Sequence, residues 1–357
     1  MGGELGEMEA RIPVNPEILK VISKIDQFGG IWAGGTTVSP DHLARMRQAC
    51  RVHSVGASCR IAGIRATESD VSAVLAGTPS QVPQSAELVG YAAAMDRSFP
   101  ASSPIVTLDE LAALNAVVLG KPGNPPPPSV LRETPLHLEV FDDEGRAMGR
   151  VLQTLPPRLL QDKIEDLVSW LELELRGGEQ HPLLVAGTFF IYFSSISPFE
   201  RANGRTARVI LPHLIRRAGY AFVDYASLER VFDELRFAYY DAIDGAETKI
   251  WTDEADISPW ISFFIESLQA LTVRLQAKLD LESRARELPP LQRAILDAIR
   301  ENGTGAASLL MAKTGANRNT LKDNLRRLVD RGLLERSGSK RGTIYRVSAG
   351  DSQDASG

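Results

Sequence analysis

The sequence predicts a mainly α-helical protein, built as a helical body with one β-hairpin and followed by a small basic module of helices and strands. Three observations carry this. Helix-start signals recur, with a capping residue directly before a proline at Asn15-Pro16 and Ser39-Pro40. Convincing strand-like alternation in the body is confined to residues 136–153. From Leu288 onward the order becomes helix, helix, turn, helix, hairpin.

The body reads in order as follows. One helix begins at Pro16, and a second runs from Pro40 towards Ile61 and stops around Gly63. Thr67-Glu-Ser-Asp70 has the spacing of an N-terminal capping box and introduces a short helix to about Ala76. Further helices are expected over 85–98 and 108–119. Lys121 to Thr134 breaks all periodicity, with prolines at 125 to 128, and is expected to be a stiff extended connector on the surface. Leu136, Leu138 and Val140 alternate with His137, Glu139 and Phe141, Asp142 to Gly145 turns the chain, and Arg146 to Gln153 returns. Pro156-Pro157 starts a helix to about Arg176, and His181, a local cap, opens an apolar helix through Phe193. Two more helices are expected over 226–244 and 258–283. The domain reading is 10–120 helical, 121–283 hairpin and central loop, 284–348 basic module, and 349–357 tail.

At 357 residues with 43% hydrophobic content, the chain can build a substantial core and two domains. No apolar run reaches the roughly 18 residues that a membrane span needs. The first nine residues, with Glu4 and Glu7, carry no signal-peptide pattern. Cys50 and Cys59 fall in one expected helix, about 13 Å apart along its axis and beyond disulfide reach. A reduced, cytoplasmic setting is the expectation. His53, His137 and His213 lack metal-ligand spacing and read as structural or surface groups. The net charge of −5 is divided unevenly: residues 305–348 carry +7, which leaves −12 for the rest.

The stretch organising the body is Ser197-Pro-Phe-Glu-Arg-Ala-Asn-Gly-Arg-Thr-Ala-Arg208, a polar turn between two apolar helices. Backbone amides at the start of the following helix, with Arg205 and Arg208 beside them, suit a polyanion such as a nucleotide phosphate chain. The alternative is a helix start whose arginines merely pair with nearby carboxylates.

This stretch resembles the signature of the Fic family: His-Pro-Phe, a variable residue, an acidic residue, Gly or Ala, then Asn-Gly-Arg and a further Arg. It matches at Pro198, Phe199, Ala202, Asn203, Gly204, Arg205 and Arg208. The resemblance implies a Fic-type helical domain over roughly 15–280, with the 136–153 hairpin as the flap that aligns a target protein. It also implies transfer of AMP from ATP to a protein hydroxyl, and places Tyr239-Tyr240 near the adenine. Nucleotide binding is then expected at Asn203, Gly204, Arg205 and Arg208, with Arg201 adding charge.

Three positions depart from the family. The catalytic position held by the family's proton-accepting histidine is Ser197, and the position of its acidic Mg²⁺ ligand is Arg201. Serine is no base near neutral pH, where such assistance is worth about 10²–10⁴-fold, and an arginine does not bind a hard cation. Mg²⁺ is therefore not expected, and AMP transfer is expected to be lost or weakened. Ser58-Cys-Arg-Ile-Ala-Gly63 resembles the family's inhibitory segment, with Ala62 where the glutamate would pair with the last motif arginine. Without that glutamate, Arg208 is expected to lack an intramolecular partner and to be free for a γ-phosphate.

In the basic module, Arg318, Lys322 and Arg326 lie on one side of a helix, and Lys340 and Arg341 on the adjacent hairpin tip. The module resembles a winged helix-turn-helix, which implies DNA binding through that helix and tip. A protein-interaction module and simple packing are the alternatives. Two functions remain in view, a silent Fic fold that senses nucleotide and couples it to DNA, and an active adenylyltransferase. A homodimer stays open as a partner, and no membrane partner is expected.

Overall fold

The computed structural model describes residues 14–35, 38–78, 82–97, 107–121, 123, 125–138, 152–153, 155–247, 250–252, 254–286, 288–338 and 343–348. The chain forms two compact units, one over 1–36 and 41–272 and the other over 37–40 and 273–357.

In the first unit the start signals act as read. Helix α1 (Pro16–Ala33) is capped by Asn15, whose side chain accepts from Ile18 N at 2.8 Å. Helix α2 spans Pro40–Ile61, and α3 (Glu68–Leu75) has a reciprocal capping box between Thr67 and Asp70. Helices α4 (Ser85–Asp96) and α5 (Leu108–Val118) follow. They cross closely at Gly90, where any Cβ would collide with the Val117 carbonyl oxygen. That close approach seats the first turn of α4 beside the central loop.

The hairpin is represented by β1 (His137–Leu138) and β2 (Leu152–Gln153), antiparallel with His137 opposite Gln153. Its expected turn, 142–145, lies outside the described residues. A 3₁₀ turn leads into α6 (Leu160–Gly177), then come α7 (Pro182–Ile196) and α8 (Asn203–Arg217). His181 caps α7, its Nδ1 accepting from Leu183 N at 3.3 Å. Every residue of α7 from Leu183 to Ile196 is buried, so it is the helix around which the unit packs. Gly187 lets α7 approach the last long helix, α11 (Ser258–Arg286). A Cβ there would lie 2.8 Å from the Phe264 ring, and the Trp260 indole donates to the Gly187 carbonyl at 2.8 Å.

Two expectations are corrected. The helix expected over 226–244 is two helices, α9 (Leu228–Glu234) and α10 (Arg236–Glu247), broken at the non-helical Leu235. Periodicity could not show this, because the apolar stripe continues across the break. The connector from Lys121 is not a surface strap along its whole length. Ser129 and Arg132 are buried, Ser129 N donates to Ala112 O, and Leu131 forms a β-bridge with Phe199. Unpaired backbone groups on the central loop draw the segment in.

The second unit contains α12 (Pro290–Asn302), β3 (Gly305–Ala306), α13 (Ala307–Thr314), α14 (Arg318–Asp330), β4 (Leu334–Ser337) and β5 (Ile344–Val347). The strands form an antiparallel sheet in the order β3-β5-β4. The element order is the one read from the sequence, with β3 added; two residues are too few to show alternation. Ile295, Ile299, Leu310, Leu321, Leu325 and Leu328 form its core. Among the described residues no helix is long and apolar enough to cross a membrane.

Candidate functional site

Helix α7 ends at Ser197, which takes a left-handed conformation (φ +44°), and α8 begins after Ala202, also left-handed (φ +63°). Such backbone costs a non-glycine residue about 1–2 kcal/mol, so surrounding contacts must hold it. Asn203 supplies one clamp: its Nδ2 donates to Phe199 O at 2.6 Å and its Oδ1 accepts from Phe199 N at 2.9 Å. Asn115 on α5 supplies another, with its Nδ2 donating to Arg201 O at 2.9 Å and Thr206 Oγ1 at 3.0 Å. Ser129 donates to the Asn115 Oδ1 at 2.7 Å, which completes that buried amide.

Arg132 fixes the loop from the other side. It is 2% exposed, and its acceptors are all backbone carbonyls: Ser197 at 2.7 Å, Thr134 at 2.8 Å, Leu155 at 2.5 Å and Ile196 at 3.3 Å. A guanidinium at the C-terminal carbonyls of α7 satisfies orphan acceptors and opposes the negative helix end. Thr134 and Leu155 flank the base of the hairpin, so one side chain ties hairpin and loop together.

Ser197 is buried, and its hydroxyl donates to Ser194 O at 2.6 Å. Among the described residues no histidine contacts it. Glu200 is exposed, one position before Arg201. Arg201 pairs with Glu87 on α4 at 3.2 Å, and Arg205, 5% exposed, pairs with the same carboxylate. Arg205 Nε and Nη1 are buried and find no oxygen or nitrogen acceptor among the described residues. The Cys59 thiol lies beside Arg205, and burial pushes its pKa up to about 11, so it stays a neutral thiol rather than a nucleophile. Ala202 makes no side-chain cap, which leaves the first amides of α8 without a side-chain acceptor. Gly204 lies over Arg208, where an added Cβ would come within 3.3 Å of Nη1.

The expectation that Arg208 lacks a partner is corrected. Arg208 is buried, with Nε donating to Ser58 Oγ at 2.8 Å, Nη2 to Ser58 O at 3.0 Å and Nη1 to Tyr239 Oη at 3.1 Å. The Ser58 hydroxyl also hydrogen-bonds Tyr91, whose phenol donates to Glu229 at 3.1 Å. Burial, and then the nearby Glu229 charge, raise the Tyr91 pKa well above 10, so it remains a donor at neutral pH. Ser54 and Ser227 reach the other Glu229 oxygen at 2.7 and 3.1 Å. A buried chain of hydroxyls thus connects the Arg208 cation to the Glu229 carboxylate.

Asn203, expected as a nucleotide ligand, also clamps the loop, with both ends of its amide engaged by Phe199. The segment of Ser58, Ala62 and Gly63 docks without a glutamate: Tyr240 Oη donates to Ile61 O at 2.6 Å and Arg60 pairs with Asp233 at 2.8 Å. Tyr239, stacked on Phe232 at 5.1 Å, is core as well as an Arg208 partner. Sequence reasoning missed Glu87, Asn115, Arg132, Tyr91 and Glu229. Nothing in their local pattern marks them, since their partners lie far away in the chain.

In the second unit, Arg318, Lys322 and Arg326 are all exposed on α14, opposite buried Leu321, Leu325 and Leu328. Lys340 and Arg341 lie outside the described residues.

The helical fold and its arginine-bearing turn, set between a buried helix and a helix start with no side-chain cap, define a class also met among known proteins. Residues 106–215 match the Fic/DOC family. It is 25% identical over 217 residues to a curated protein adenylyltransferase Fic from Culex quinquefasciatus, which covers 60% of this chain and 38% of that one. The chain thus spans less than two-fifths of that relative's length. Among solved structures, a Fic family protein from Desulfovibrio desulfuricans shares 22% identity over 96% of this chain and 98% of its own, with a TM-score of 0.58. Fic-1 from C. elegans shares 19% over 74% and 73%, also with a TM-score of 0.58.

Proposed function

We propose that this is a Fic-fold protein that has lost or nearly lost AMP transfer, and that retains a latent, metal-free grip for nucleotide phosphates coupled to a DNA-binding winged helix. The observation that carries the first part is Ser197. Its position asks for a base, yet its hydroxyl is buried and donates to Ser194 O, so it neither accepts a proton nor faces a substrate. Arg201 in the metal position brings a cation where Mg²⁺ would need a carboxylate. The phosphate grip is supported by the two acceptor-free nitrogens of Arg205 and the uncapped amides of α8, donors that the three terminal oxygens of a phosphate chain match. Arg208 serves the fold in this reading.

The test is incubation of the full chain with radiolabelled ATP and lysate, beside Ser197→His with Arg201→Asp. The native chain is expected to label nothing above background. The double variant regains transfer by about the 10²–10⁴-fold that base catalysis supplies. Robust labelling by the native chain would establish it as an active adenylyltransferase and end the silent-fold reading.

DNA binding rests on the exposed cationic face of α14. Duplex DNA affinity, measured by fluorescence anisotropy, is expected to fall steeply with salt. Each of Arg318→Gln, Lys322→Gln and Arg326→Gln should reduce the log–log slope by about one. Salt-independent binding, or none, would leave the module as a protein-interaction domain.

A further inference from the structure

A cavity lined by three arginines lies along the same two helices that carry the loop contacts. Arg47, Cys50, Arg51 and Ser54 occupy one face of α2, three or four residues apart, and Ser58 continues that face to Arg208. On α8 the matching positions run from Arg208 through Val209 and Pro212 to Arg216, about 12 Å further along the axis. Between these faces is a cavity of about 260 Å³ that receives Arg47, Arg51 and Arg216.

The charges around it do not cancel well. Arg51 pairs with Asp96 at 2.6 Å, but its Nε is buried with no hydrogen-bond partner among the described residues. Arg47 and Arg216 share a single carboxylate, Asp224, each at 3.9 Å and beyond hydrogen-bond length, and their nearer contacts are neutral groups, the Tyr225 hydroxyl for Arg47 at 2.8 Å and His213 Nδ1 for Arg216 at 3.2 Å. Burial and the neighbouring Arg216 lower the His213 pKa to about 4, so its imidazole adds no charge. Glu229 also lines the cavity, but its oxygens are held by Tyr91, Ser54 and Ser227 and offer Arg47 and Arg216 no direct partner. Three guanidinium groups therefore face two available carboxylates, two of them through long contacts.

We infer that this cavity is a second anion site, separate from the Fic loop, that takes a small phosphate-bearing ligand bridged by Arg47, Arg51 and Arg216. A tetrahedral dianion accepts from several guanidinium groups at once, which a single aspartate cannot do. The volume leaves room for a phosphate monoester with a small organic group as well as for inorganic phosphate.

Isothermal titration of the full chain with inorganic phosphate, and separately with ribose 5-phosphate, at constant ionic strength tests this. One site is expected, and a tighter constant for ribose 5-phosphate would assign it to monoesters rather than the free ion. Arg47→Gln and Arg216→Gln, both at exposed rim positions, should each weaken binding roughly tenfold or more, while Arg205→Gln in the Fic loop leaves it unchanged. Circular dichroism melts of each variant confirm that the fold is intact. No binding of either probe at about 10 mM, or binding lost in Arg205→Gln and kept in Arg47→Gln and Arg216→Gln, would overturn the inference.

Discussion

Replacing Arg132 with alanine is expected to destabilise the first unit by about 3–5 kcal/mol, because it strips the partner from four carbonyl oxygens in one step. Two of these carbonyls end α7, the helix around which the unit packs, and two flank the hairpin base. An apolar replacement therefore leaves a buried helix terminus uncapped and also unties the hairpin from the loop. Arg132→Lys keeps the charge but not the planar fork, so it should recover only part of the loss. Urea unfolding with an unchanged slope would read this directly as a shifted midpoint. A loss below about 1 kcal/mol would mean that water reaches these carbonyls and that the side chain is dispensable. The same variant separates fold from grip. If Arg132 only positions the loop, any phosphate binding should weaken in Arg132→Ala by more than in Arg132→Lys.

What was legible in the sequence was local. Asn15, Thr67 and His181 each announce a helix by a hydrogen bond spanning two or three residues, and each cap is present. The 197–208 stretch could be read as a helix-start loop because its turn residues and arginines are contiguous. Its partners could not. Arg208 meets Ser58 from 150 positions away, Asn115 meets Arg201 from 86, and Arg201 meets Glu87 from 114. A motif specifies which donors are present, whereas the tertiary fold decides which acceptors reach them. This is why Arg208, expected to be free, is instead a core residue balanced through hydroxyls. The proline run after Lys121 misled for a related reason: composition marked an extended segment, but Leu131 and Arg132 were drawn in by unpaired groups on the loop.

The sharpest consequence of those long-range partners concerns Glu87. Arg201 is 69% exposed, so its pairing with Glu87 is screened and contributes little. Arg205 is 5% exposed, and there the carboxylate holds Nη2, next to the two nitrogens left for a phosphate, so its negative charge opposes an incoming anion. Glu87→Gln keeps the shape and removes the charge. It is expected to raise ATP affinity roughly tenfold or more in excess chelator, since one charge-assisted contact is worth about 1.5–3 kcal/mol. The variant should be less stable without ATP, because Arg205 loses its counter-ion, and should recover stability as ATP is added. Adding Arg205→Gln to Glu87→Gln should abolish the gain, which ties the effect to that guanidinium. Equal affinity in the native chain and Glu87→Gln would remove the carboxylate as a competitor. Absence of ATP binding in both would remove the nucleotide reading itself. Arg208 offers no comparable gain. Its acceptors are a hydroxyl, a phenol and a carbonyl, all neutral and set in the core, so releasing it would uncover a buried cation and trade binding against the fold.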